Sequence, residues 1–228
     1  MPLALFDLDN TLLAGDSDYL WGRHLVARGV VDGAAYEAAN QRFYDDYRAG
    51  CLDIDAFLRF ALAPLRDHAV TDLEHWREEF LASTIDPLIT PAARALVERH
   101  RAAGDTLMVI TATNRFVTAP IAARFGIDHL IATEPARDAT GFTGAVAGLP
   151  AFREGKVRRL QDWLDATGAD LAGSHFYSDS INDLPLLERV EHPVAVDPDP
   201  QLAAIATARG WPVLALHRAP PQTAPESL

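Results

Sequence analysis

Cysteine is almost missing from this 228-residue sequence, which contains only Cys51. A single cysteine cannot form a disulfide within the chain, so no disulfide framework holds the fold, and a reducing compartment is expected. A lone cysteine is more often a small buried apolar residue than a nucleophile. No apolar run approaches the ~20 residues that cross a bilayer, and the N-terminus lacks the basic start of a signal peptide. We therefore expect a soluble, cytoplasmic protein.

Positive charge is also scarce, with 20 Lys and Arg against 32 Asp and Glu and a net charge of −12. This balance argues against nucleic acid and against an anionic membrane surface as partners. It does not exclude a small anionic substrate, because a bound metal and local positive charge can dominate a pocket. Hydrophobic residues make up 49% and charged residues 23%, as in a packed globular protein.

Two aspartates, Asp7 and Asp9, follow an apolar run that begins at residue 3. The run is typical of a strand buried on both faces of a parallel sheet, and ligands bind at the carboxyl ends of such strands. Two crowded carboxylates repel each other and lose hydration, and a divalent cation such as Mg²⁺ commonly offsets that cost. The alternative is that the aspartates only cap a turn. This stretch alone does not decide between them.

The next seventy or so residues show helical periodicity and no strand pattern. Helices are predicted over residues 16–28, 32–49, 53–65 and 71–81, the last opened by a capping box that starts at Thr71. The first strand needs partners that appear only later in the chain. We therefore predict a helical subdomain of residues 16–86 inserted into a core made of residues 1–15 and 87–228.

Strands and helices alternate in the rest of the chain. Strands are predicted over residues 107–111, 129–133, 175–178, 193–196 and 212–216, with a hairpin over 141–146 and a helix over 154–167. This alternation predicts an α/β fold with a doubly wound, Rossmann-like parallel sheet. The tail, residues 218–228, is rich in proline and is expected to be loose.

Further polar residues stand at the ends of two later strands. Thr111 ends a strand before a helix, where a hydroxyl and free backbone N–H groups can hold phosphate, whereas Thr113 and Asn114 are better explained as ordinary helix N-caps. Asp179 and Asp183 follow the strand over residues 175–178. Together with the first pair, they place four aspartates near one edge of one sheet, which favours a metal site.

One lysine, Lys156, stands at the start of a predicted helix. Most lysines are solvated, and a cation early in a helix is mildly disfavoured by the macrodipole. A lysine that reaches the aspartate cluster would neutralise charge on Asp7 and on a bound phosphate. The position of Lys156 between the two aspartate segments strengthens that interpretation.

Taken in order, these segments resemble the four motifs of the haloacid dehalogenase superfamily. The matching segments are D-L-D-N-T at 7–11, I-T-A-T at 110–113, Lys156, and S-D-S-I-N-D at 178–183. The helical insertion resembles a type-one cap, and the chain as a whole resembles subfamily IB, the phosphoserine phosphatase-like branch. The resemblance implies an Mg²⁺-dependent phosphatase that hydrolyses a small phosphorylated metabolite through an aspartyl-phosphate.

The resemblance also implies catalytic roles. Asp7 would be the nucleophile, and Asp9 the acid that protonates the leaving alcohol and then the base that activates water. Thr111 and the backbone at Ala112 would hold the phosphoryl oxygens. Lys156 would neutralise the nucleophile and the phosphate.

The metal site is implied in the same way. Mg²⁺ would be bound by the carboxylates of Asp7 and Asp179 and by the backbone carbonyl of Asp9. Asp183 would orient these ligands, and Asn182 would contact the substrate phosphate or a water.

Substrate recognition is implied at two positions. Asp16 stands where the phosphoserine enzymes have a glutamate for the substrate amine, and Arg59 stands in a G-x-L…L-R stretch like the one that supplies an arginine for the substrate carboxylate. The alternative for Arg59 is a solvated helix residue. Ala112 and Thr113 replace glycines of the phosphoserine enzymes, which weakens a strict phosphoserine assignment. Histidinol phosphate, another amino-containing substrate within this branch, suits Asp16 equally.

Two other functions remain as alternatives. One is a non-catalytic protein that binds a phosphorylated metabolite, and the other is a phosphotransferase whose acceptor is not water. The presence of Asp7, Asp9, Lys156 and Asp179 together favours catalysis, because loss of turnover would be expected to change at least one of them.

Overall fold

The computed structural model describes residues 1–217, so the predicted loose tail lies outside the described residues. The strands are β1 (Leu3–Phe6), β2 (Thr106–Asn114), β3 (His129–Thr133), β4 (Pro135–Asp138), β5 (Gly141–Val146), β6 (His175–Ser178), β7 (His192–Val196) and β8 (Val213–Leu214). Six of them form a parallel sheet in the order β3-β2-β1-β6-β7-β8, and β4 pairs with β5 as an antiparallel hairpin. The predicted α/β fold with a doubly wound parallel sheet is confirmed.

Helices cover both faces of this sheet. They are α1 (Ser17–Ala27), α2 (Gly33–Arg48), α3 (Ile54–Ala61), α4 (Ala63–Asp67), α5 (Val70–Phe80), α6 (Pro91–Ala103), α7 (Arg115–Arg124), α8 (Glu154–Thr167), α9 (Leu184–Leu187) and α10 (Pro200–Arg209). Short helical turns stand at Leu8–Leu12, Leu81–Ile85, Asp86–Leu88 and Ile181–Asp183.

Several predicted boundaries differ from the observed ones. The third predicted helix is divided into α3 and α4 at Leu62. The predicted capping box at Thr71 is wrong, because α5 already begins at Val70 and its N-cap residue makes no side-chain hydrogen bond. Strand β2 runs on to Asn114, and its register with β3 shifts beyond Ile110. The predictions for β3, β6 and α8 are confirmed.

Strand β1 is formed by the apolar run that precedes Asp7. It lies between β2 and β6, and its four side chains are buried. Leu3 and Leu5 pack into the core on one face of the sheet, whereas Ala4 and Phe6 pack into the core on the other face. Burial of each large side chain stabilises the fold by about 1.5–3 kcal/mol, so β1 is fixed in place and register.

The core that contains Ala4 and Phe6 joins the helical insertion to the sheet. Trp21 of α1 and Phe80 of α5 belong to the same buried cluster as Phe6. A smaller cluster around Phe43 and Phe152 joins α2 and α3 to the loop before α8. The division of the chain into core and cap domains stays a prediction. None of the described helices is long and apolar enough to span a membrane.

Candidate active site

The turn that follows β1 fixes the first two aspartates at the edge of the sheet. The Asp7 N–H donates to the Tyr177 carbonyl at 2.9 Å, which extends the pairing of β1 with β6 by one residue. A tight turn follows, in which Asn10 has φ 57° and the Leu13 N–H bonds to the Leu8 carbonyl. Asparagine adopts this left-handed conformation more readily than most residues. Asp7 and Asp9 are both buried as a result.

Lys156 reaches this edge from the first turn of α8. Its Nζ donates to Asp7 Oδ1 at 2.7 Å and to Asp183 Oδ2 at 2.8 Å. The preceding residue is Gly155, where a Cβ would collide with the Pro150 carbonyl oxygen, so a side chain there would disturb the approach. Burial alone lowers the pKa of Lys156, but the two carboxylates raise it above its ordinary value. The lysine is therefore a buried ammonium that neutralises part of the cluster.

Asp9 has different partners from Asp7. Its Oδ1 accepts from the Ser17 N–H at 2.6 Å, and its Oδ2 accepts from Thr113 Oγ1 at 2.8 Å. Burial raises the pKa of the Asp9 carboxyl, while the hydrogen bonds from Ser17 and Thr113 oppose that rise. A carboxyl group whose pKa is raised by burial suits general acid catalysis, because it can hold a proton closer to neutral pH.

The loop after β6 supplies two more carboxylates. Asp179 Oδ1 accepts from Thr11 Oγ1 at 3.1 Å, and the Asp179 N–H donates to the same hydroxyl at 3.0 Å. Asp183 accepts from Ser178 Oγ at 2.7 Å as well as from the lysine. Burial, with repulsion from Asp7 and Asp183, raises the pKa of Asp179 well above its ordinary value.

The charges of this cluster fit a divalent cation. Burial raises the pKa of Asp7 to about 7 despite the attraction of Lys156, so one ammonium does not compensate the neighbouring carboxylates. In residues 1–217 no three His, Cys, Asp or Glu side chains are grouped as metal ligands. The predicted Mg²⁺ ligands do not need such a group, because they are the carboxylates of Asp7 and Asp179 and the backbone carbonyl of Asp9. Hard oxygen donors of this kind suit Mg²⁺.

The end of β2 forms the opposite side of the site. Thr111 is buried, and its Oγ1 accepts from the Thr113 N–H at 3.2 Å. Thr111, Ala112 and Thr113 all line the pocket beside Asp7 and Asp9. Asn114 is the N-cap of α7, as predicted, and accepts from the Val117 N–H. The interpretation of Thr113 as an N-cap is wrong, because β2 extends past it and its hydroxyl bonds to Asp9.

A pocket opens from these residues toward the helical insertion. Its walls are formed by the following residues: Asp7, Asp9, Asp16, Asp18, Tyr19, Asn40, Phe43, Tyr44, Tyr47, Leu52, Ile54, Phe57, Thr111, Ala112 and Thr113. No Lys, Arg or His is among the described residues that line it. Burial and repulsion from Asp9 raise the pKa of Asp18 to about 7 and that of Asp16 well above its ordinary value. The pocket is therefore acidic and aromatic.

The structure brings most of the predicted site residues together, with two exceptions. Arg59 is exposed on α3 and does not line the pocket, which favours the solvated alternative. Asn182 is buried but does not line the pocket, and its amide donates to the Tyr47 carbonyl at 2.9 Å. Asp16 lines the pocket and also caps α1 by accepting from the Tyr19 N–H at 2.8 Å.

Sequence reasoning missed two features of the pocket. Asp18 stands two residues after Asp16, and that spacing alone could have suggested a second carboxylate at the same helix start. The aromatic wall comes mainly from α2, where Phe43, Tyr44 and Tyr47 lie on one side of the helix. Their spacing of three and four residues is a signal, but it is equally typical of an ordinary core stripe.

Comparison with known sequences gives a consistent set of similarities. A family model described as haloacid dehalogenase-like hydrolase matches residues 4–188. A histidinol-phosphatase of Neisseria meningitidis is 48% identical over 216 residues, which cover 93% of this chain and 97% of that protein. A phosphoserine phosphatase of Mycobacterium tuberculosis is 33% identical over 213 residues, which cover 92% of this chain and 69% of that protein.

Solved structures show the same fold. A protein of unknown function from Bordetella pertussis Tohama I superposes with a TM-score of 0.89 at 46% identity, covering 94% of this chain and 98% of that one. A phosphoserine phosphatase with an analogue of its phospho-aspartyl intermediate superposes with a TM-score of 0.69 at 19% identity, covering 95% and 93%. At 19% identity, the similarity to this phosphoserine phosphatase shows the fold alone.

Proposed function

Because this chain belongs to the haloacid dehalogenase-like hydrolase family and is a phosphomonoester hydrolase, we propose that its substrate is the phosphate ester of a small amino alcohol. Histidinol phosphate is the compound of this class that fits best. The observation that carries the proposal is the pocket beside Asp7, which has two additional carboxylates and an aromatic wall and no basic side chain among its described lining residues.

The charges of the pocket distinguish this substrate from phosphoserine. Asp16 and Asp18 can each pair with a cationic nitrogen, and histidinol phosphate offers an amine and an imidazole. Phosphoserine also offers an amine, but its carboxylate would be buried beside aspartates without a cation, which is strongly unfavourable. The aromatic side chains of α2 can pack against an imidazole ring. The similarity to a histidinol-phosphatase over 93% of the chain supports the same choice.

The proposed reaction uses the two aspartates after β1 in turn. The Asp7 carboxylate attacks phosphorus, forming an Asp7 O–P bond while the ester P–O bond breaks, and Asp9 gives its proton to the departing alkoxide. Asp9 then takes a proton from a water as that water attacks phosphorus and releases Asp7. Lys156 remains hydrogen-bonded to Asp7 and draws negative charge from the reacting centre. In this proposal Thr111 and the backbone N–H of Ala112 hold the phosphoryl oxygens.

The same proposal includes Mg²⁺ as cofactor. The carboxylates of Asp7 and Asp179 and the Asp9 carbonyl would hold the ion, and Asp183 would support them. When bound, Mg²⁺ acts as a Lewis acid that stabilises charge on the phosphoryl oxygens.

The proposal is tested by steady-state kinetics with histidinol phosphate, phosphoserine and p-nitrophenyl phosphate, each with Mg²⁺ and with EDTA. We expect kcat/KM for histidinol phosphate to exceed that for phosphoserine by roughly 100-fold, because histidinol phosphate makes one additional charge contact of about 1.5–3 kcal/mol and phosphoserine buries a carboxylate without a cation. EDTA should abolish turnover of all three. Equal or better hydrolysis of phosphoserine would contradict the proposed substrate class.

Product analysis in the same assay separates hydrolysis from transfer. Hydrolysis releases inorganic phosphate and the free alcohol in equal amounts. A deficit of inorganic phosphate in the presence of a second alcohol would instead indicate a phosphotransferase.

A further inference from the structure

The C-terminal end of α2 is held by side chains from three other segments of the chain. Asn182 Nδ2 donates to the Tyr47 carbonyl at 2.9 Å, the Arg153 guanidinium donates to the Gly50 carbonyl, and Gln201 Nε2 lies 3.4 Å from the Ala49 carbonyl. The last carbonyls of a helix lack partners within the helix, and they carry its partial negative charge. Donors at this point therefore stabilise the position of the helix end.

Arg153 is central to this arrangement because it contacts both the end of α2 and the segment that carries Asn182. Its Nε donates to Asn182 Oδ1 at 3.1 Å, and one terminal nitrogen donates to the same oxygen at 3.0 Å and to the Gly50 carbonyl. Asn182 in turn holds the Tyr47 carbonyl. A planar guanidinium can make these bonds at once, whereas a single ammonium cannot reproduce all of them.

The backbone of Arg153 is unusual for a residue with a side chain. Its φ of 49° and ψ of −120° correspond to the second position of a type II′ turn, where glycine is normally found. Its carbonyl accepts from the Lys156 N–H at 3.0 Å, so this turn begins α8. A non-glycine residue in this conformation is unfavourable, and such outliers cluster where the side chain has a function.

The helix end that Arg153 holds carries one wall of the pocket. Phe43, Tyr44 and Tyr47 all line the pocket, and all belong to the last two turns of α2. We propose that Arg153 is a positioning residue that fixes the end of α2 against Asn182 and so sets the aromatic wall that binds substrate. The proposal rests on the proposed function only for the identity of the substrate, because the contacts are within the chain.

Three substitutions of Arg153 separate positioning from a structural role. Arg153→Ala removes the contacts and keeps the unfavourable backbone. Arg153→Gly removes the contacts and relieves the backbone, so it should fold at least as well as the wild type. Arg153→Lys keeps a donor and should restore part of the function. Arg158 is exposed on the same helix, and Arg158→Ala is the matched control.

Two measurements are made on each variant. The first is KM and kcat for histidinol phosphate and for p-nitrophenyl phosphate with Mg²⁺. The second is amide hydrogen exchange over residues 43–50 without substrate or metal, which does not depend on activity. For Arg153→Ala and Arg153→Gly we expect KM for histidinol phosphate to rise about tenfold with kcat within about threefold, together with faster exchange over residues 43–50. Arg158→Ala should match the wild type in both.

Unchanged KM in Arg153→Gly would overturn the proposal, and so would unchanged exchange at the end of α2. A fall in kcat with unchanged KM would also overturn it, because Arg153 would then act on Lys156 and not on the wall. If the wild type proves not to prefer histidinol phosphate, the proposed substrate fails. The exchange experiment and KM for p-nitrophenyl phosphate still test the role of Arg153.

Discussion

Lys156 joins two carboxylates that belong to different motifs, Asp7 after β1 at 2.7 Å and Asp183 after β6 at 2.8 Å. All three side chains are buried, so the ammonium is the counterion of both acids in a region that excludes water. Buried charges are costly when one partner is missing, and catalysis of phosphoryl transfer depends on the same charges. Stability and turnover should therefore respond together to changes at this lysine.

The first prediction concerns Lys156→Met, which keeps the length of the side chain and removes its charge. Asp7 and Asp183 would remain buried without a counterion, so we expect the free energy of unfolding to fall by about 3–5 kcal/mol. Turnover of p-nitrophenyl phosphate should fall by at least ~1,000-fold. Urea unfolding and steady-state kinetics measure the two effects.

A double variant provides the control for that experiment. Adding Asp183→Asn to Lys156→Met removes one of the unpaired carboxylates, so part of the stability should return while turnover stays low. A single variant as stable as the wild type would show that the ion pairs contribute nothing to the fold.

The second prediction concerns Asp9→Asn, which preserves the shape of the side chain and removes its proton transfer. The p-nitrophenolate leaving group needs no proton, so attack by Asp7 should continue, whereas hydrolysis of the aspartyl-phosphate should slow by about 100- to 10,000-fold. Rapid-mixing kinetics should show a burst of about one equivalent of p-nitrophenol followed by a slow phase.

Two further variants control the burst experiment. Asp7→Asn should give no burst, because the nucleophile is missing. Thr113→Val removes the hydroxyl that donates to Asp9, and it should slow the second step more than Thr113→Ser does. A full burst from Asp7→Asn would show that another residue carries the phosphoryl group.

The third prediction concerns the additional carboxylates of the pocket. Asp16→Asn and Asp18→Asn should each raise KM for histidinol phosphate by about tenfold or more, while KM for p-nitrophenyl phosphate, which has no amine, should stay within about threefold. Asparagine is as good an N-cap as aspartate, so the first variant should keep α1 intact. Arg59→Ala serves as the control, because Arg59 is exposed away from the pocket and should leave both values unchanged.

The sequence predicts the clustering of the aspartates because the topology of a parallel sheet brings its strand ends together. Asp7 and Asp179 follow β1 and β6, which are neighbours, so the apolar runs and the residues just after them are sufficient to place both acids at one edge. A helix that carries Lys156 is also predicted, and its bounds agree with those of α8.

The contacts that sequence reasoning missed depend on details that local patterns do not encode. Thr113 looks like a helix cap, and it reaches Asp9 only because β2 extends further than its apolar run. The positive φ of Arg153 has no signature in the sequence, because glycine is the residue expected in such a conformation. The G-x-L…L-R stretch suggested a substrate contact for Arg59, but the orientation of α3 exposes that residue to solvent.

The last prediction concerns how pH affects the stability of the metal-free protein through Asp18. Burial and repulsion from Asp9 raise the pKa of this carboxyl from an ordinary 3.8 to about 7 in the folded chain. Between those values the folded group keeps a proton that the unfolded group has lost, so stability falls as pH rises through about 7. We expect the unfolding free energy of Asp18→Asn, measured with urea and EDTA from about pH 5 to about pH 8, to decline less than that of the wild type. Asp72 is exposed on α5, so the unfolding free energy of Asp72→Asn should change with pH as that of the wild type does. If the unfolding free energy of Asp18→Asn changed with pH as that of the wild type does, the pKa of Asp18 would not be raised in the folded chain.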